Sequence, residues 1–222
     1  MTRPRRNARP LLLGHRGARA LKSIPENTLA SFDQALADGC DGFEFDVRLS
    51  ADGNPVVCHD PQTGGLEIAR ASGEQLAALP QLQDVLARYQ ARAFLDVELK
   101  VLGLEKITAA WLRKSPPRRG FVVSSFLPEV LQALHAEDSA IPLGLICETR
   151  AELSLWRRLP IEYVIPHHRL ADAALIRKIR TAGKRMLVWT VNAPADMQRF
   201  AESGVDGIIS DDTGLLRRLL TE

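Results

Sequence analysis

Two stretches of the chain carry charged residues at every second position. In Phe43-Glu44-Phe45-Asp46-Val47-Arg48, the residues Glu44, Asp46 and Arg48 alternate with Phe43, Phe45 and Val47. In Leu95-Asp96-Val97-Glu98-Leu99-Lys100, the residues Asp96, Glu98 and Lys100 alternate with Leu95, Val97 and Leu99. Period two belongs to a β-strand, where successive side chains take opposite faces. The apolar set claims the outer face of each strand, so the acids point inward. Inward carboxylates without partners would cost several kcal/mol in desolvation and repulsion, and a cation offsets that cost. If the strands are neighbours, about 4.8 Å apart, Glu98 joins Glu44 and Asp46 around one ion. Three carboxylates with no thiol nearby make a hard oxygen site, suited to Mg2+ or Ca2+ rather than Zn2+. The competing arrangement is a network of internal salt bridges in which Arg16, Arg48 and Lys100 neutralise the acids.

Two histidines complete the set. His15 closes an apolar run, and His59-Asp60 follows the β-like run Pro55-Val56-Val57-Cys58. Imidazole titrates near neutrality, so one ring can take a proton while the other gives one. Arg16 and Lys100 beside a metal form an anion site, and a phosphate ester fits that charge pattern.

These groups need a frame that gathers strand ends. Short apolar runs lie near 10–15, 41–48, 93–100, 120–125, 141–147, 162–166, 185–191 and 206–210. Segments of helical period separate them, at 28–38, 81–90, 104–114, 128–137, 150–158, 172–182, 194–202 and 213–220. In the first, Leu29, Phe32 and Leu36 share a face, Asn27 or Thr28 can cap the start, and Gly39 follows the end. Eight strand-helix units predict an α/β single domain, a closed (β/α)8 TIM barrel. A doubly wound open sheet is the alternative, but Gly14-His15-Arg16-Gly17 is too short and too charged for its Gly-rich phosphate loop.

Composition narrows the function classes. The 222 residues are 45% hydrophobic, enough for one sizeable core, and the net charge of +2 argues against a nucleic-acid binder. The basic cluster Arg3, Arg5, Arg6 and Arg9 reads as a flexible tail over residues 1–9, with the barrel over 10–222. Leu11-Leu12-Leu13 is too short for a secretory core, and no run suits stable membrane insertion. Cys40, Cys58 and Cys147 are odd in number and widely spaced, so reduced thiols and a cytoplasmic location are expected.

In order along the chain stand Gly14-His15-Arg16-Gly17-Ala18, Pro25-Glu26-Asn27-Thr28, Phe43-Glu44-Phe45-Asp46-Val47, His59-Asp60, Glu98-Leu99-Lys100, Val188-Trp189-Thr190-Val191-Asn192 and Gly204-Val205-Asp206-Gly207-Ile208-Ile209-Ser210-Asp211. This series resembles the glycerophosphodiester phosphodiesterase family from residue 14 to about 211. The resemblance implies a TIM barrel that cleaves glycerophosphodiesters to glycerol 3-phosphate and an alcohol. It implies His15 and His59 as the acid-base pair, Glu44, Asp46 and Glu98 as metal ligands, and Arg16 and Lys100 as phosphate contacts. Trp189 would line the pocket, and Glu26 and Asn27 would support the site, Glu26 as a partner of the metal or of Arg16. Asn192 and Asp211 are weaker candidates, as are His167 and His168 for the leaving alcohol.

One departure stands out. Family members usually insert a longer segment after His-Asp, whereas Pro61-Gln62-Thr63-Gly64-Gly65-Leu66 leads quickly to the next helix. Weak discrimination between head groups is therefore expected, unless another loop, such as that of His167 and His168, builds a pocket. A sphingomyelinase D-type barrel would favour an apolar membrane-facing loop, which is not visible. A non-catalytic phosphate-binding barrel would have lost a histidine or an acid, and all are present.

Overall fold

Each apolar run becomes a strand, and each amphipathic segment becomes the helix behind it. The computed structural model describes residues 9–221. Most of the basic tail, including Arg3, Arg5 and Arg6, therefore lies outside the described residues. Arg9 is within them, and its guanidinium pairs with Asp41 at 2.6 Å.

The strands are β1 (Leu11–His15), β2 (Gly42–Leu49), β3 (Phe94–Leu99), β4 (Phe121–Ser125), β5 (Leu143–Cys147), β6 (Tyr163–Pro166), β7 (Arg185–Val188) and β8 (Gly207–Ser210). They alternate with α1 (Leu29–Ala37), α2 (Leu82–Tyr89), α3 (Glu105–Lys114), α4 (Pro128–Glu137), α5 (Arg150–Ser154), α6 (Ala173–Thr181), α7 (Pro194–Ser203) and α8 (Thr213–Thr221). All eight strands run parallel in sequence order, and β8 pairs back onto β1 with Leu12 opposite Ile208. The sheet closes, as the strand-helix count predicts.

Three boundaries fall short of the sequence expectation. β5 starts at Leu143 because Pro142 has no N–H for the ladder; only its carbonyl is used, by Val123. β7 stops at Val188, and Trp189 keeps a single bridge to His167. α5 tightens into a 3-10 turn over Leu155–Arg157.

The period-two pattern sorts the side chains as expected. Phe43, Phe45 and Val47 are fully buried in the outer core between strands and helices. There Phe32 of α1 stacks on Phe43 at 4.2 Å, which adds about 1 kcal/mol beyond area burial. The cap residue Thr28 accepts from the Ser31 N–H, and Gly39 takes the left-handed conformation (φ 91°) that ends α1. A second core inside the barrel, with Leu13, Phe94, Ile146, Tyr163, Ile165 and Leu187, closes the floor beneath the site.

The short segment after β2 is ordered. Pro55–Val57 pairs antiparallel with β2, a small hairpin joins Gln62–Thr63 to Leu66–Glu67, and Val56, Ile68, Ala71 and Leu76 form a core of their own. Cys40, Cys58 and Cys147 are free thiols. Among the described residues, no helix is long and apolar enough to cross a membrane.

Candidate active site

The barrel register places the acids side by side. Glu44 lies opposite His15 on β1 and Asp96 on β3, while Asp46 lies opposite Glu98. The ligand atoms of Glu44, Asp46 and Glu98 fall within 4.8 Å of one another, and all three residues are buried. Asp96 is buried too, and its Oδ1 accepts the Ser124 hydroxyl at 2.6 Å.

The cations present compensate these charges only in part. Lys100 Nζ stands 3.2 Å from Asp46 Oδ1 and 2.5 Å from Glu98 Oε1. Arg16 Nε is 3.3 Å from Asp46 Oδ2. Arg48 does not join, because its Nε donates to the carbonyl of His59 at 2.7 Å. Four inward acids therefore face two permanent cations. Burial and then the charges of Asp46 and Glu98 push the Glu44 carboxyl well above its usual range. Burial and Asp46 push Glu98 up to about 7. Asp46 goes the other way: burial opposes its charge, but Lys100, Arg16 and the Asn27 amide hold it below the usual value. Glu44 Oε1 is buried with no hydrogen-bond donor, while Asp46 Oδ1 and Glu98 Oε1 meet only the Lys100 ammonium. Four acids against two cations, with Glu44 Oε1 left without a donor, leave Glu44, Asp46 and Glu98 able to hold a cation together.

The turn after β1 presents Arg16. Arg16 itself (φ 52°) and Asn27 (φ 57°) adopt left-handed conformations that bulky side chains rarely take. Gly17 (φ 84°) packs so tightly that a Cβ would sit 2.2 Å from Ser31 Oγ. With the backbone so held, the Arg16 N–H donates to Glu44 Oε2 at 3.0 Å and its guanidinium donates to Glu26 Oε1 at 2.7 Å. Glu26 also accepts from Arg19 Nε at 2.6 Å. Glu26 thus partners Arg16 and stands outside the acid triad. Asn27 is buried and grips Asp46 twice: its amide donates to Asp46 Oδ2 at 2.8 Å, and its oxygen accepts the Asp46 N–H.

Both histidines pair their Nδ1 with an acid. His15 Nδ1 lies 2.7 Å from Asp211 Oδ1, and its Nε2 is 3.9 Å from Glu44 Oε2. Asp211 also accepts from Asn192 at 2.7 Å and from Arg19 at 3.3 Å. His59 Nδ1 lies 2.8 Å from Asp60 Oδ1. Burial lowers the His59 pKa, against the pull of Asp60.

A cavity of about 320 Å3 joins these groups, lined by His15, Arg16, Glu44, His59, Glu98 and Lys100 on one side. Phe126 and Trp189 face them from the ends of β4 and β7. His167 meets Trp189 edge-on at 5.3 Å, and His168 lies 3.9 Å from Asp196. A hollow of similar size, about 310 Å3, opens beside Lys184 and His135, away from every acid named above.

The sequence reading missed Arg19, Ser124, Phe126 and Glu148. Phe126 and Glu148 directly follow the ends of β4 and β5, where barrel enzymes carry function, so their positions could have flagged them. Arg19 and Ser124 left no such signal.

Comparison with known proteins agrees with this geometry. Residues 15–71 and 68–215 match the glycerophosphoryl diester phosphodiesterase family. A glycerophosphodiester phosphodiesterase of Caldanaerobacter subterraneus subsp. tengcongensis is 29% identical, with 95% of this chain and 97% of that protein aligned. A phosphodiesterase of Oleispira antarctica, solved with its product sn-glycerol-3-phosphate, superposes with a TM-score of 0.84 at 26% identity, covering 96% of this chain and 98% of that one. The fold alone is shared with a Silicibacter pomeroyi structure, at TM-score 0.84 and 23% identity over 97% of this chain and 94% of that one. The chain is a phosphodiester-hydrolysing (β/α)8 barrel enzyme and belongs to the glycerophosphoryl diester phosphodiesterase family.

Proposed function

We propose that the enzyme hydrolyses glycerophosphodiesters to glycerol 3-phosphate and an alcohol, using a hard divalent cation, Mg2+ or Ca2+, and an acid-base pair of histidines. The observation that carries this reading is the buried triad Glu44, Asp46 and Glu98, with Glu44 Oε1 lacking a donor, beside Arg16, Lys100, His15 and His59 around one cavity. Glu44, Asp46 and Glu98 would hold the metal. When bound, it supplies a positive charge that polarises the phosphoryl oxygens.

The chain's own groups supply the rest. Arg16 and Lys100 bind the remaining phosphate charge; Glu26 holds Arg16, and Lys100 stands against Asp46 and Glu98 of the triad. Asp211 on His15 and Asp60 on His59 occupy each Nδ1, so each ring turns its Nε2 to the substrate. One histidine takes the proton of the attacking hydroxyl, from water directly or from the glycerol 2-position, in which case water then opens the resulting cyclic phosphate. The other gives a proton to the leaving alcohol oxygen as the phosphorus–oxygen bond breaks. Trp189 lines the leaving-group side, while Glu26 and Asn27 position Arg16 and Asp46. Free thiols at Cys40, Cys58 and Cys147 fit work in the reducing cytoplasm.

The test is product identification. The enzyme with Mg2+ or Ca2+ is expected to convert glycerophosphocholine to glycerol 3-phosphate and choline in equal amounts. Phosphocholine and glycerol as products, or no turnover with either metal, would contradict the reading.

A further inference from the structure

The turn after β1 carries a second arginine, Arg19, whose side chain is partly exposed and does not line the cavity. Its loop, residues 16–27, is closed at the base by the Asn27 N–H, which donates to the Arg16 carbonyl at 3.0 Å. From this loop Arg19 reaches two acids at once. Its Nε donates to Glu26 Oε2 at 2.6 Å, and its Nη1 donates to both Asp211 carboxylate oxygens at 3.3 Å. Beside it, the Ala20 N–H donates to the Asp211 carbonyl at 3.0 Å, so the backbone ties the loop to the end of β8 as well.

Each of these acids holds a group of the site. Glu26 Oε1 accepts from the Arg16 guanidinium at 2.7 Å, and Asp211 Oδ1 meets His15 Nδ1 at 2.7 Å. Among the described residues, Arg19 is the one side chain that pairs with both acids. The pairing also sets the charge balance. A carboxylate facing Arg16 alone would cancel its charge, whereas Glu26 gives one oxygen to Arg16 and the other to Arg19. Arg16 therefore keeps positive charge for a phosphate. Burial opposes the charge on Glu26, but the two arginines hold its carboxyl below the usual value.

We propose that Arg19 is a positioning residue that couples phosphate binding to proton transfer: through Glu26 it orients Arg16, and through Asp211 it orients His15. The proposal rests on the phosphodiesterase reading above, with Arg16 on the phosphate and His15 in the acid-base pair. A guanidinium suits this task and an ammonium does not. The planar fork presents nitrogens in two directions, whereas lysine ends in one point charge that stands beside one carboxylate. The contact nearer the backbone and shorter is that of Nε with Glu26, so a lysine at this position keeps Glu26 and gives up Asp211.

The test measures KM and kcat for glycerophosphocholine, under one metal condition, in wild type, Arg19→Met and Arg19→Lys. Arg19→Met is expected to raise KM and lower kcat, each by about threefold to fivefold, the worth of a partly exposed ion pair. Arg19→Lys is expected to return KM to within about twofold of wild type while kcat stays lowered. A merely structural role gives no such split. Asp211→Asn supplies a second readout: its cost in kcat should be smaller by about threefold in the Arg19→Met background, because part of the loss has already been taken. Arg19→Lys keeps charge and length, so the test stands even where Arg19→Met fails to fold. Wild-type constants in Arg19→Met, recovery of both constants or of neither in Arg19→Lys, or an equal cost of Asp211→Asn in both backgrounds overturns the coupling alone. No release of glycerol 3-phosphate by wild type overturns the phosphodiesterase reading, and the coupling with it.

Discussion

Asp211 Oδ1 and His15 Nδ1 meet at 2.7 Å although 196 residues separate them in the chain. Closure of the barrel makes this contact, because β8 hydrogen-bonds to β1 and each strand delivers its last polar residue to the same rim. Asn192, from the loop after β7, donates to Asp211 Oδ2 and takes the Ser210 hydroxyl and Asp211 N–H on its own oxygen. The carboxylate that orients His15 is thus itself fixed from two sides.

Asp211→Asn should therefore act through His15. The amide keeps the size but can turn its NH2 toward Nδ1, which removes the preference for the ring orientation. We expect kcat to fall about tenfold to a hundredfold, a part of the 10²–10⁴ that a positioned acid or base contributes, with KM within about threefold. A variant that loses KM and kcat together, with an unaltered pH profile, would mean that Asp211 is only structural.

The same carboxylate makes a prediction about stability and pH. Burial raises its pKa, but the hydrogen bond and charge of His15, then Asn192 and Arg19, outweigh burial and hold it well below the usual value of about 3.9. A depressed folded-state value contributes stability that is complete above the unfolded pKa and is lost as pH falls through the folded one. Wild type should be more stable than Asp211→Asn at pH 5, and the gap should shrink at pH 3. Denaturant midpoints at both values, with metal chelated, check this. A gap that widens in acid would reverse the sign and reject the assignment.

His15→Ala and His59→Ala should each lower kcat by roughly 10²–10⁴ on a glycerophosphodiester, without unfolding the chain. Neither belongs to the apolar core: His59 is partly exposed, and His15, though mostly buried, is held at the rim by Asp211. A p-nitrophenyl phosphodiester separates their roles, because that leaving group needs no proton. The variant missing the general acid should recover most on it. Losses of only a few-fold for both would show that the proton transfers lie elsewhere.

Much of this site was legible in the sequence because two strands write it in period two. Phe43, Phe45 and Val47 claim the outer face, so Glu44 and Asp46 had to point inward, and the same holds for Glu98. Strand adjacency then brought the three acids together. The role of Arg48 was not legible, since its alternation with Val47 says nothing of the short antiparallel strand that diverts it to the His59 carbonyl. Nor was the packing that brings Phe126 and Glu148 onto one wall with Trp189. Each comes from the end of a different strand, and no local period encodes contacts that exist only once the barrel closes.

Metal dependence is the most direct test of the central claim. Glycerol 3-phosphate release from glycerophosphocholine is measured in the purified enzyme, after exhaustive chelation, and again after adding Mg2+ or Ca2+, with metal content determined at each stage. Three buried carboxylates whose ligand atoms converge, with Glu44 Oε1 lacking a donor, predict that turnover disappears with the metal and returns with a hard divalent cation. Glu98→Gln should shift the metal concentration needed for half-activity upward by at least tenfold. Full turnover in a chain proven free of metal would contradict the account.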